Sequence, residues 1–212
     1  MVARQLRARG IADERVLAAM RSVPRHAFVP LERISCAYSD EALAIGEGQT
    51  ISQPFIVAVC VEALSLQGHE RVLEIGAGCG YQAAVLSSLA REVIAVEAQP
   101  VLASSARERL GCLGYTNVRI EEGDGSAGWP ASAPFDAIVV SAAAPAIPPP
   151  LLDQLREGGR LVIPVGPPEH QELLRVLKSD GRTAQRSICA CRFVPLLGRH
   201  GFPASVQKVA GE

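Results

Sequence analysis

The sequence predicts an α/β fold built around a doubly wound, mostly parallel β-sheet. From residue 71 onward, short runs rich in β-branched residues alternate with segments of helical periodicity, which is the pattern of β-α-β units. The strand segments are almost continuously apolar, as is typical of parallel strands that are buried on both faces. A glycine-rich loop at Gly76–Gly80 lies between the first of these strands and a helix. In β-α-β units, a glycine-rich loop at this position allows a ligand to approach the backbone.

Each element of the predicted sheet has its own segment of sequence. Strands are expected at Arg71–Ile75, Glu92–Val96, Val118–Ile120, Ala137–Val140 and Arg160–Ile163. Helices are expected between the first three strands, at Gln82–Ala90 and Val101–Leu113. Two later runs, Glu172–Leu177 and Ser187–Val194, are expected to add an antiparallel hairpin at the C-terminal edge of the sheet.

The N-terminal segment, residues 1–52, is expected to form a helical lid on the sheet. Asp13 is the predicted N-cap of a helix that runs to about Met20. Two prolines, Pro24 and Pro30, then favour extended or turn structure, because the residue before a proline is restricted to those conformations.

The segment Ile45–Pro54 is predicted to be a loop that leads into a helix over residues 53–65. Pro54 fits the first turn of that helix, where a backbone N–H is not needed. Ser52 or Gln53 would be its N-cap.

Length and composition favour one domain over residues 1–212, with 53–197 as the α/β core and 198–212 as a frayed tail. The chain has 212 residues, of which 48% are apolar and 20% are charged. It carries 21 basic and 22 acidic side chains, so bulk charge gives no reason to expect a nucleic-acid partner. We expect a monomer.

The sequence also favours a cytoplasmic location without a membrane partner. No apolar run reaches the ~18 uncharged residues of a membrane span, and the basic N-terminus lacks the apolar run of a signal peptide. The six cysteines include no Cys-x-x-Cys pair, which suits reduced thiols rather than a disulfide framework or a metal site.

The glycine loop is the strongest local motif, with the sequence Glu74-Ile75-Gly76-Ala77-Gly78-Cys79-Gly80. A dinucleotide-binding loop would have its third glycine at position 81, which is Tyr81. The spacing instead resembles the first motif of class I S-adenosylmethionine-dependent methyltransferases. A tight structural turn is the alternative interpretation.

Two acidic residues follow the next strands. Glu97 ends the second strand, 21 positions after Gly76, where a nucleotide-binding fold places a carboxylate that accepts from ribose hydroxyls. Asp124, in Gly123-Asp124-Gly125, follows the third strand, where it would accept from an adenine amine. The alternatives are a helix N-terminal charge for Glu97 and an ordinary Asp-Gly turn for Asp124.

The fourth strand disfavours methylation of nucleic-acid bases. Enzymes with that activity usually carry an Asp/Asn-Pro-Pro-aromatic motif there, whereas this sequence reads Ser141-Ala142-Ala143-Ala144-Pro145. Aromatic residues are 4% of the chain, so the stacking surfaces that single-stranded nucleic acid needs are scarce.

Segments spread from about residue 5 to about residue 197 resemble the protein-L-isoaspartate O-methyltransferase family. The glycine loop is common to class I methyltransferases, whereas Thr50-Ile51-Ser52-Gln53-Pro54 and Arg192-Phe193-Val194-Pro195-Leu196 are particular to this family. The other segments of the resemblance are Val23–Pro30, Leu73–Gly80, Gly123–Gly125, Pro134–Ile138, Ala142–Pro145, Leu155–Gly159 and Pro164–Gly166.

The resemblance implies a Rossmann-like methyltransferase sheet, S-adenosylmethionine as the cofactor, and repair of L-isoaspartyl residues by methylation of their free α-carboxylate. Isoaspartyl-containing proteins and peptides would be the partners. Ser52 corresponds to the family's active-site serine, which we interpret as a positioning group because no histidine lies in a suggestive motif. The implied cofactor-binding residues are Glu74, Gly76, Ala77, Gly78, Gly80, Glu97, Asp124 and Gly125. The peptide slot is expected at Thr50, Ala143, Pro145, Val165 and Gly166.

Three positions depart from what the family often carries, and two other functions stay open. Ala77, Cys79 and Leu197 stand where polar residues are common in the family, so their cofactor hydrogen bonds would be weaker. One alternative is a carboxyl methyltransferase that acts on a biosynthetic peptide or a small molecule. The other is a non-catalytic adaptor that binds isoaspartyl residues.

Overall fold

The computed structural model describes residues 1–203 and 205. The strands are β1 Leu43–Gly46, β2 Gln49–Ile51, β3 Arg71–Ile75, β4 Glu92–Glu97, β5 Val118–Glu122, β6 Phe135–Val140, β7 Leu155–Val165, β8 Gln171–Ser179 and β9 Arg182–Cys191. The α-helices are α1 Glu14–Ser22, α2 Pro54–Leu64, α3 Tyr81–Ser87, α4 Pro100–Cys112 and α5 Pro149–Asp153. None of the helices in this part of the chain has the length and apolar character that crossing a membrane requires.

The main sheet has the strand order β5-β4-β3-β6-β7-β8-β9. Strands β3 to β7 pair in parallel, while β8 and β9 are antiparallel. The prediction of a mostly parallel sheet with an antiparallel edge is therefore confirmed. The chain order reverses between β3 and β6, and such a switch point opens a crevice at the carboxyl ends of the strands.

Successive residues of the central strands pack on opposite faces of the sheet, as the twofold repeat of a strand requires. On one face, Val72 and Val139 belong to a core that includes residues of α1 to α4. On the other face, Leu73 and Ile138 pack in a second core with Leu151 of α5. The sheet is thus buried on both sides, which explains why its strands read as continuous apolar runs.

The lid begins as predicted. The Asp13 carboxylate accepts hydrogen bonds from the backbone N–H groups of Arg15 and Val16, at 2.8 and 3.3 Å, and so caps α1. Helix α1 contacts α2 and α3. The proline-bounded segment contains a 3-10 turn at Arg25–Phe28.

The prediction of a loop over residues 45–54 is wrong in its first part. Strands β1 and β2 form an antiparallel hairpin there, with Leu43 opposite Ile51. The turn is possible because Glu47 and Gly48 both adopt positive φ angles, of 53° and 66°. Gln53 is the N-cap of α2 and makes no side-chain capping bond, so Ser52 is not the cap.

The C-terminal hairpin is confirmed, although β9 lies earlier than predicted, at Arg182–Cys191 rather than 187–194. Its first half is polar and exposed, which an edge strand tolerates and an apolar pattern does not reveal. The first residues of the predicted frayed tail make hydrogen bonds to the rest of the chain. The Phe202 N–H donates to the Leu196 carbonyl at 2.7 Å, and the Arg199 N–H donates to Asp124 at 2.8 Å. Residues 204 and 206–212 lie outside the described part of the chain.

Candidate active site

A cleft that is partly open to solvent lies at the carboxyl ends of β3, β4 and β6. This is the position at which the strand order reverses. The glycine loop forms its floor, and β2 contributes Gln49, Thr50 and Ile51 to one wall. Residues 194–197 of the C-terminal segment form the opposite wall.

The glycine loop joins β3 to α3, and its main chain lines the cleft. Gly76 and Gly78 have φ angles of 85° and 54°, which side-chain-bearing residues rarely adopt. The N–H groups of Gly76 and Ala77 donate to the Val96 carbonyl at 2.8 and 3.2 Å, so the loop is held against β4. Gly80 does not line the cleft; a Cβ there would lie 3.1 Å from Leu110 of α4.

Glu97 links two parts of the cleft. It is 6% exposed at the end of β4. One carboxylate oxygen accepts from the Gly78 N–H at 2.7 Å, and the other accepts from the Gln99 N–H at 2.9 Å. Glu97 therefore lies in the cleft, as the sequence predicts, and its carboxylate also orders the glycine loop.

Glu74 is a fully buried carboxyl group that lines the cleft. Its Oε1 accepts from Gln82 Nε2 at 3.1 Å, and the same amide donates to Ser141 Oγ at 2.9 Å. Its Oε2 is buried and has no partner among the described residues. Burial raises the pKa of Glu74 well above its ordinary value, the Gln82 bond opposes this, and the charge of Glu97 raises it further. The cleft thus holds a buried carboxyl group that resists ionisation.

Replacing Glu74 by glutamine is expected to stabilise the ligand-free protein increasingly as pH rises. A raised folded-state pKa contributes stability that is present below the ordinary value of 4.5 and is lost as pH rises through the folded pKa. The amide of the introduced glutamine does not titrate, so thermal denaturation should show the melting temperature of E74Q rising relative to that of the parent chain between about pH 5 and pH 9. E122Q, at an exposed position, is the control. A difference in melting temperature between E74Q and the parent chain that stays constant with pH would contradict the raised pKa of Glu74.

Asp124 does not line the cleft, although its neighbour Gly125 does. Its Oδ1 accepts from the N–H and Oγ of Ser126, at 2.9 and 2.6 Å, and its Oδ2 accepts from the Arg199 N–H at 2.8 Å. Burial raises the pKa of Asp124, but these hydrogen bonds outweigh burial and hold it below the ordinary value. Asp124 therefore anchors the C-terminal segment whose residues 194–197 form one wall of the cleft.

The predicted peptide-slot residues fall into two groups. Thr50 and Ser52 line the cleft. Ala143, Pro145, Val165 and Gly166 do not. The Ala143 N–H donates to the Val194 carbonyl at 2.8 Å, the Leu196 N–H donates to the Ala143 carbonyl at 2.7 Å, and Gly166 donates to Ala144 at 3.0 Å. Ala143 thus holds the wall in place through its backbone.

Several residues that line the cleft were missed by the sequence analysis, among them Tyr81, Gln82, Ser141 and Leu196. Gln82 is a polar residue in the first turn of α3, and its amide bonds to Glu74 of the preceding strand. The three departures from the family pattern, Ala77, Cys79 and Leu197, all line the cleft. Among the described residues, no group of three or more His, Cys, Asp or Glu side chains is arranged to hold a metal ion.

Comparison with known proteins identifies the family. Residues 1–201 match the family model described as protein-L-isoaspartate(D-aspartate) O-methyltransferase. The protein-L-isoaspartate O-methyltransferase of Methanoculleus marisnigri is 56% identical over 208 residues, which are 97% of this chain and 94% of that protein. The corresponding protein of Roseiflexus sp. is 55% identical over 92% of this chain and 90% of its own.

Solved structures agree with the sequence comparisons. One protein-L-isoaspartate O-methyltransferase structure superposes with a TM-score of 0.84 at 30% identity, over 95% of this chain and 67% of that one. A second, from Plasmodium falciparum in complex with S-adenosyl-L-homocysteine, has a TM-score of 0.79 at 26% identity, over 92% and 96% of the two chains. The chain described here belongs to the protein-L-isoaspartate(D-aspartate) O-methyltransferase family.

Proposed function

We propose that this chain transfers the methyl group of S-adenosylmethionine to the free α-carboxylate of L-isoaspartyl residues in damaged proteins and peptides. The observation that carries the proposal is the extent of the family match. Residues 1–201 contain every residue that lines the cleft, from Gln49 to Leu197. The same stretch includes the hairpin, the glycine loop and the C-terminal wall.

The cleft suits a cofactor that carries positive charge and hydrogen-bond donors. Glu74 Oε2 is buried without a partner, and Glu97 lies near it with a second carboxylate. S-adenosylmethionine supplies, when bound, a methyl group on a positive sulfonium that leaves as a neutral thioether. We assign Glu97 to the ribose hydroxyls and Glu74 to the positively charged end, since a cationic neighbour would offset the cost of ionising a buried carboxyl group.

The remaining cofactor residues act through the backbone or through the walls. Gly76, Ala77, Gly78 and Gly125 line the cleft and let a ligand approach the main chain closely. We assign Gly80 and Asp124 an indirect role. Gly80 fits the glycine loop against α4, and Asp124 holds the segment that closes the cleft.

The proposed reaction needs no general base from the chain. An α-carboxylate, with an ordinary pKa of about 3.5, is already ionised at neutral pH. Among the described residues that line the cleft there is no histidine. Ser52 lines the cleft, and its side chain caps no helix. We assign it to donating a hydrogen bond to the carboxylate and so orienting it, since orientation alone can account for large rate effects.

The peptide is proposed to run between Thr50 and the C-terminal wall. Thr50 is exposed on the edge strand β2, which suits main-chain pairing with an extended peptide. We assign Ala143, Pro145, Val165 and Gly166 to the support of the C-terminal wall, to which Ala143 bonds at Val194 and Leu196. We also infer that the chain acts as one domain and as a monomer in the cytoplasm. The cysteine side chains of the described residues are all unpaired, which suits a reducing compartment.

Formation of S-adenosylhomocysteine with an isoaspartyl peptide and with its aspartyl isomer tests the proposal. We expect turnover with the isoaspartyl peptide only, and a flat rate between pH 6 and 8 at saturating substrates, because the nucleophile is already deprotonated. Binding of the isoaspartyl peptide without turnover would instead indicate an adaptor. Equal turnover of both peptides, or a rise of about tenfold per pH unit, would indicate another methyltransferase.

A further inference from the structure

The Arg25 side chain contacts three parts of the molecule, at Ala37, Ser52 and Tyr81. The proposed reaction depends on their relative positions. The side chain is fully buried in the turn Arg25–Phe28 of the lid. Its Nε donates to the Ala37 carbonyl at 2.8 Å, and its Nη2 donates to the Ser52 carbonyl at 2.8 Å. The guanidinium carbon lies 4.8 Å from the centre of the Tyr81 ring.

Tyr81 is the first residue of α3, directly after the glycine loop, and it lines the cleft. Its own position is fixed by Phe28, whose ring packs edge-on at 5.5 Å between centroids. Through Tyr81 and Ser52, one arginine therefore contacts the cofactor side and the peptide side of the cleft.

The environment of Arg25 is costly for a residue that would only fill space. No salt bridge to Arg25 is present among the described residues, and its Nη1 is buried without a partner. A well-packed apolar side chain is often as stable as, or more stable than, a buried charge. Stability thus gives little reason for an arginine here, whereas its planar group reaches two carbonyls and a ring at once.

We propose that Arg25 is a positioning residue that sets Ser52 at the correct distance from the methyl donor. The inference rests on the proposed function, because it assigns Arg25 to the orientation of the substrate carboxylate. Arg25 acts through the Ser52 carbonyl and the Tyr81 ring and touches neither substrate nor cofactor.

A double-mutant cycle between Arg25 and Ser52 tests this inference. The variants are Arg25→Met, Ser52→Ala and the pair, each assayed for kcat and KM on an isoaspartyl peptide and for S-adenosylmethionine binding by calorimetry. R25M alone is expected to lower kcat about 30-fold, since small misplacement of reacting groups costs up to ~100-fold, with cofactor Kd changed less than threefold. In the S52A background, R25M is expected to cost less than threefold more.

Two further variants keep the outcome interpretable. Arg15→Met removes another lid arginine that donates to a backbone carbonyl, that of Leu66 at 2.6 Å, and it should leave kcat unchanged. Arg25→Lys keeps the charge but not the two-carbonyl geometry, so it should repeat the kcat loss in a folded chain if R25M does not fold. Additive losses in the cycle, or full activity of R25K, would overturn the inference alone. A parent chain without turnover would overturn the proposed function as well.

Discussion

Ser52→Ala is expected to lower kcat on an isoaspartyl peptide about 100-fold, because loss of the orienting hydroxyl lets the carboxylate leave its in-line position. Stability should hardly change. Gln53, not Ser52, is the N-cap of α2, and no side-chain capping bond is lost. We expect a free-energy change within about 0.5 kcal/mol and a melting temperature within ~2 °C of the parent chain.

Steady-state kinetics and thermal denaturation of S52A and of Ser104→Ala measure these effects. Ser104 lies exposed on α4, away from the cleft, and its loss should affect neither quantity. Full activity of S52A would show that the Ser52 hydroxyl does not orient the substrate carboxylate. A fall in activity that follows a fall in melting temperature would give Ser52 a structural role only.

Glu97→Ala is expected to weaken S-adenosylmethionine binding by more than tenfold. A hydrogen bond to a charged group contributes about 1.5–3 kcal/mol, and the substitution also frees the Gly78 N–H, which now donates to Glu97. Isothermal titration calorimetry gives the change in Kd. The fold should survive, since Glu97 lies at the end of β4 and makes no bond to another strand through its side chain.

Glu122→Ala is a matched control for E97A. Glu122 pairs in register with Glu97 on the adjacent strand β5, but it is exposed and does not line the cleft. The cofactor Kd of E122A should be that of the parent chain. Equal weakening in both variants would point to a general loss of negative charge, and unchanged affinity of E97A would refute the cofactor assignment.

The sheet was predictable because its strands carry their own signal. Buried parallel strands must be apolar on both faces, so β3, β4 and β6 stand out in the sequence within a residue or two of their limits. The hairpin of β1 and β2 was not predictable in the same way. It is short and half-exposed, and its turn depends on a positive φ angle at Glu47. Glutamate rarely adopts that conformation, so the sequence does not indicate a turn at this residue.

The lining of the cleft was predictable where it depends on residues near in sequence. The loop from Glu74 to Gly78 and the carboxylate at the end of β4 lie where the motif spacing placed them. Positions that depend on distant contacts were not predictable. Asp124 faces the backbone of Arg199, 75 residues away, and Ala143 lies behind Val194 rather than in the cleft. No local pattern encodes either pairing.

The proposed activity is tested most directly by the site of methylation in a peptide that carries one isoaspartyl and one aspartyl residue. The purified chain and S-adenosylmethionine are added, and early products are mapped by tandem mass spectrometry at mildly acidic pH, where methyl esters persist. We expect a methyl ester on the isoaspartyl α-carboxylate alone. A methyl group on the aspartyl side chain, on an amine or on a hydroxyl would contradict it.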